Sequence, residues 1–171
     1  MPPPATPGLW DFSLSIYARP GVAPLCLALQ AGHDADVNVV LCALWIGFTG
    51  RGRLNRGEIA ALDAVVAPLR DAVVKPLRGA RTWLKPRLVA DPSLATLREA
   101  IKRVELESEH EEQRRLEQHA GARMRAVGSV ADALANVTAY LVWRGADPRA
   151  AAELAPFAAA LAEISTGTAQ R

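Results

Sequence analysis

Between Val37 and Phe48 the chain reads Val-Asn-Val-Val-Leu-Cys-Ala-Leu-Trp-Ile-Gly-Phe, and Asn38 is its only strongly polar side chain. A helix over this stretch is apolar on every face, so other elements must enclose it. Twelve helical residues span about 18 Å, short of the roughly 20 apolar residues that cross a bilayer. The stretch 36–48 is therefore predicted to be the buried central helix of a soluble domain, with no transmembrane segment.

Half of the 171 residues are hydrophobic, enough for one domain to bury a core without disulfides or metals. The 33 alanines, together with leucine, arginine and glutamate, favour helix over strand. The expected fold is all-α: a single-domain bundle of about six or seven helices over residues 8–164, with a disordered lead at 1–7 and a disordered tail at 165–171. Cys26 and Cys42 sit in apolar surroundings without a Cys-x-x-Cys spacing and read as buried reduced thiols. The N-terminal sequence lacks the basic and apolar regions of a signal peptide, so a cytoplasmic location is expected.

Helix punctuation follows from caps and breakers. Leu9 to Ala18 forms a short apolar helix, and a second runs from Pro24 through Gln30 to a left-handed stop at Gly32. Asp34 or Asp36 caps the central helix. Asn55 caps a long helix holding a duplicated octet, Ala64 to Asp71 and Ala72 to Gly79, each copy with a mid-helix proline. Pro68 and Pro76 each remove a backbone donor and clash with the preceding turn, so the helix should kink or break. Asp91-Pro92 opens the next helix. It is amphipathic to Val104 and strongly charged from Glu107 to His119, which predicts a solvated extension past the core. A connection at 121–128 leads to Ser129, which caps a helix that Gly145 stops. Asp147-Pro148 opens an alanine-rich helix to Ile164, with a bend at Pro156.

Candidate chemistry is sparse. Glu107-x-x-His110 has the spacing of a di-iron half-site, but no second pair exists in the sequence and the helix is polar. No nucleophile elbow, activated Cys-His pair or phosphate loop is present. No metal, cofactor or catalytic residue is assigned. Asp132, Asn136 and Tyr140 are four apart on one helical face, either as a solvated face or as the lining of a pocket. Asn38 begins the buried helix near Gln30, Asp34 and Asp36, and a buried amide must be hydrogen-bonded. It therefore serves either to bond a neighbouring helix end or to hold a ligand.

Charge is unevenly distributed. Residues 49–90 hold nine Lys or Arg against three acids, and residues 91–120 hold five against eight. Arg70, Lys75, Arg78, Arg81 and Lys85 form a candidate surface for an anionic partner, or a face that pairs with the acidic helix of the same molecule. Arginine outnumbers lysine 17 to 3, which a GC-rich genome produces unaided, so arginine counts alone carry little weight.

The N-terminal third, with Trp10-Asp-Phe12, Tyr17, Leu27-x-Leu-Gln30 and Asp36-Val-Asn38 leading into the helix with Trp45, resembles a family of small uncharacterised proteobacterial proteins, a domain of unknown function. That resemblance implies a bacterial cytosolic protein and draws attention to Gln30, Asp36 and Asn38. The expected function is a non-enzymatic binding or regulatory module with a protein partner or an anionic one. Nucleic acid is the less favoured anion, and self-association through the acidic helix 105–119 is an option. The alternative is an enzyme or small-ligand binder with an apolar pocket between the N-terminal hairpin and the helix 129–144, bordered by Gln30, Asp36, Asn38, Asn136 and Tyr140.

Overall fold

The computed structural model describes residues 7–121 and 127–168, and every regular element among them is helical. In chain order these are α1 (Leu9–Tyr17), α2 (Val22–His33), α3 (Val37–Phe48), α4 (Arg56–Leu69), a π-helical turn (Arg70–Val74), α5 (Lys75–Leu84), a 3-10 turn (Lys85–Val89), α6 (Leu94–Ala120), α7 (Val130–Trp143), a second 3-10 turn (Pro148–Leu154) and α8 (Ala155–Thr168). Because α4, the π turn and α5 are continuous, the eight α-segments make seven rods around one core. No single described helix is long and apolar enough to cross a membrane.

α3 is the centre of the bundle. Asp36 has extended backbone, and its Oδ1 accepts from the amides of Asn38 at 2.8 Å and Val39 at 3.4 Å. Asp36 is thus the cap, and its carboxylate opposes the positive end of the helix dipole. Every residue from Asn38 to Gly47 is buried. Trp45, Leu44 and Cys42 are enclosed by Leu9, Phe12 and Ile16 of α1, Val137 and Leu141 of α7 and Leu116 of α6. Each such large apolar side chain contributes about 1.5–3 kcal/mol through burial, which is why an all-round apolar helix settles at the centre. Both cysteines are free and buried.

α7 approaches α3 most closely at Gly47. A Cβ there would lie 2.3 Å from the backbone nitrogen of Ala133, so only glycine allows this crossing. Ser129 caps α7 by accepting from the amide of Asp132 at 3.0 Å, and its own N–H donates to the Gly47 carbonyl at 3.2 Å.

Several expectations change in physical detail. The left-handed residue that ends α2 is Asp34, at φ 47°, rather than Gly32, since a short polar side chain tolerates that conformation. The two mid-helix prolines do not break the rod. The Lys75 N–H donates to the Arg70 carbonyl, an i to i+5 bond, and this wide turn between Pro68 and Pro76 absorbs the missing donors. α6 does not project as a solvated extension: Glu112, Gln113 and Leu116 in its charged half are all buried, at 1, 4 and 0 % exposure. At Pro156 the alanine-rich segment divides into a 3-10 turn and α8, which continues to Thr168, past the expected end at Ile164. Residues 1–6 of the expected lead at 1–7, residues 122–126 of the connection and residues 169–171 of the expected tail at 165–171 lie outside the described residues.

Candidate functional site

The polar start of α3 and the charged half of α6 meet beside the π turn. Asn38 is 7 % exposed, and its side chain bonds only other side chains. Its Nδ2 donates to Glu112 Oε2 at 2.6 Å, and its Oδ1 accepts from Gln113 Nε2 at 3.0 Å. The chain of donors therefore runs from Gln113 through Asn38 to Glu112. It ends on a carboxyl group whose second oxygen, Oε1, is buried with no hydrogen-bond partner. Gln113 Oε1 is orphaned in the same way.

Asp36 links this chain to a second cluster. Its backbone N–H donates to the hydroxyl of Tyr140 at 3.0 Å, and that hydroxyl lies 3.4 Å from Asp63 Oδ1, to which it can donate. Arg70 donates to both oxygens of Asp63, at 2.7 and 3.3 Å, and to Asp36 Oδ2 at 3.4 Å. Burial opposes the charge on Arg70, yet its bonds to Asp63 win and hold its pKa above the ordinary arginine value. Burial raises the pKa of Asp36 even though the Arg70 charge lowers it.

Glu112 is a strongly perturbed acid. Burial, reinforced by the nearby Asp36 charge, pushes its pKa up to about 8. At neutral pH it is mostly a carboxylic acid. Because Oε2 accepts from Asn38, the proton falls on Oε1, the oxygen without a partner.

These groups border a cleft of about 520 Å³, open on one side, between the α2–α3 junction, the π turn with α5, and α6. Gln30, Asp36, Asn38, Arg70, Arg78 and Glu112 line it, with Val37, Val74 and Trp83 as apolar wall. Its size lies within the range of small-molecule sites. A second cleft of about 400 Å³ shares Gln30, Val37, Asn38 and Arg78 with the first. It is rimmed by exposed Leu14, Leu27 and Leu106.

The sequence candidates divide accordingly. Gln30, Asp36 and Asn38 come together on the cleft wall. Asn136 does not: its Nδ2 donates to the carbonyls of Ala43 and Gly52 at 3.3 and 3.0 Å, and its Oδ1 accepts from Leu54 N–H at 2.8 Å. Tyr140 is fully buried behind Asp36 and reaches the site only through it. The cleft that Gln30, Asp36 and Asn38 border thus has α5 and α6 as its other walls, where the expectation was the helix 129–144.

The basic candidates pair within the molecule. Arg78 bonds Glu105 at 3.0 Å and Glu109 at 2.6 Å, and Arg81 also bonds Glu105. Burial raises the Glu105 pKa, but these two arginines outweigh it and hold that carboxyl below its ordinary value. Lys75 pairs with Asp71 at 3.1 Å, and Lys85 lies exposed on the 3-10 turn. His110, of the Glu-x-x-His spacing, stacks on Trp10 with ring centroids 4.1 Å apart.

Sequence reasoning missed Glu112, Gln113 and Asp63. One signal was available for the acids: Glu105, Glu109 and Glu112 follow i, i+4, i+7 spacing, a single helical face, whereas Glu107 and Glu111 lie off it.

Residues 8–116 match a protein family described as a protein of unknown function, DUF2390. The chain belongs to that family. Every residue lining the larger cleft falls inside the DUF2390 stretch, from Gln30 to Glu112, while α7, α8 and Tyr140 lie outside it. No curated protein and no solved structure matches the chain.

Proposed function

We propose that this DUF2390 protein is a small-ligand-binding module whose site is the cleft over Asp36, Asn38 and Glu112. The observation that carries the reading is Glu112 on the cleft wall, 1 % exposed and with one carboxyl oxygen unpartnered. A buried polar atom without a partner costs about 1–3 kcal/mol, and a ligand group that satisfies it recovers that cost. The rival surface at Arg70, Arg78 and Arg81 offers less to an external anion, since those guanidiniums already bond carboxylates of the same chain. The free, buried thiols Cys26 and Cys42 support a reducing, cytoplasmic setting.

The test uses Gly79, which lines the cleft and where an added Cβ would meet nothing within 4 Å. Gly79→Leu should fill the cleft without disturbing the polar network. Protein purified from cells is denatured and its released small molecules are identified by mass spectrometry. In parallel, a metabolite library is screened by thermal shift. The parent should release or respond to a compound that Gly79→Leu does not. Identical behaviour of the two proteins in both assays would refute the reading.

A further inference from the structure

Around the cleft, among the described residues, five cations pair with six carboxyl groups, and a sixth cation, Arg87, lies over the ring of Trp83 on the cleft wall. Asp34 pairs with Arg144 and Lys75, Asp71 with Lys75 and Arg70, and Asp36 and Asp63 share Arg70. Glu105 holds Arg78 and Arg81, and Glu109 shares Arg78. Glu112 pairs with none of these five. Its surroundings are Asp36 from α3, Arg70 from the π turn and Glu109 from its own helix, with Asp34, Lys75 and Arg78 elsewhere on the cleft wall. The deficit of positive charge thus falls where a buried carboxyl oxygen has no hydrogen-bond partner.

We propose that the cleft takes a small organic cation, an alkylammonium whose N–H groups donate to Glu112 while its carbon chain lies along Val37, Val74 and Trp83. Once Glu112 is ionised, an ammonium supplies both items its carboxylate lacks, a positive charge and hydrogen-bond donors. A metal ion fits less well, because no group of three ligating side chains exists among the described residues. This inference rests on the cleft being a ligand site and adds the ligand's chemical class. Binding involves a proton balance: Glu112 holds a proton at neutral pH, and the incoming ammonium displaces it to solvent, leaving a carboxylate–ammonium pair. Affinity should therefore rise as pH rises toward the Glu112 titration, while the amine stays protonated.

The probes are four molecules of matched length: 1,4-diaminobutane, butylamine, 1,4-butanediol and succinate. Each is titrated into the full chain at physiological salt, near pH 8 and near pH 6, and followed by amide NMR shifts and calorimetry. The diamine and butylamine should bind at least about tenfold tighter than the diol, and succinate should not bind. Diamine affinity should fall at least about tenfold from pH 8 to pH 6. Glu112→Gln should lose the amine preference and its pH dependence, and Gly79→Leu should lose binding of every probe. Should Glu112→Gln fail to fold, the pH dependence of the parent and the Gly79→Leu block still decide the matter. Diol or succinate binding as tight as the diamine's, lost in Gly79→Leu, would overturn the cationic class and leave the cleft as a ligand site. Absence of binding by all four probes would overturn the cationic class, and the metabolite screen would then decide the cleft reading separately.

Discussion

Asn38 and Asn136 are both buried amides, one on α3 and one packed against it, and their partners differ in kind. Asn136 bonds three backbone groups, on Ala43, Gly52 and Leu54, and so fastens α7 and the loop after α3 to fixed positions. Asn38 bonds two side chains, Glu112 and Gln113, each of which keeps an unpartnered oxygen. The first environment is closed and satisfied, and the second is bordered by an open cleft and left incomplete. The contrast teaches that burial of a polar residue marks a functional site only when its partners themselves remain unsatisfied.

The largest effect should come from breaking the closed side. Gly47→Ala places a Cβ against the backbone of Ala133, which cannot yield without separating α3 from α7. Overpacking of this kind costs about 1–3 kcal/mol or more, so denaturant unfolding should show a loss at or above the top of that range. Next, Asn136→Ala strands a backbone donor and two backbone carbonyls. It should cost about 2–3 kcal/mol, more than Asn38→Ala, whose stranded partners are two side chains that can reorient rather than three fixed backbone groups. Equal losses for the two would remove the distinction between the closed and open sides.

The open side is sharpened by pH. The Glu112 pKa is raised in the folded protein to about 8, above its unfolded value, so the folded state holds a proton that the unfolded state releases. Its contribution is fully present below the unfolded pKa and is lost as pH rises to about 8, with a slope approaching about 1.4 kcal/mol per pH unit. Glu112→Gln removes this dependence. Relative to the parent, the variant should gain stability steadily from about pH 5 to about pH 8, measured by urea midpoints at each pH. The smallest effect belongs to Gly79→Ala, on a helical position with open space around it. It should stabilise by about 0.5–1 kcal/mol through helix propensity alone, opposite in sign to Gly47→Ala.

The central helix and its caps were legible because local rules decide them. An unbroken apolar run can only be enclosed, and Asp36, Asn55 and Ser129 bond amides two or three residues ahead. Gln30, Asp36 and Asn38 were legible as a group for the same reason, being polar at the edge of that run. The fate of α6 was not legible. Its charged half looks solvated until Arg78 and Arg81, 24 to 31 residues earlier, are laid against Glu105 and Glu109. Likewise Glu112 meets Asn38 across 74 residues, a tertiary contact with no local signature. The position of the cleft was misread because Asn136 and Tyr140 bond partners inside the core, on Ala43, Gly52, Leu54, Asp36 and Asp63, that only the tertiary fold brings to them.

The central claim is that Glu112 is a buried acid without an ion-pair partner at the edge of an open cleft. It is tested most directly by following the Glu112 side-chain carboxyl carbon by NMR as pH is varied. The account predicts a titration midpoint near 8, and a midpoint at the ordinary glutamate value of about 4.5 would contradict it.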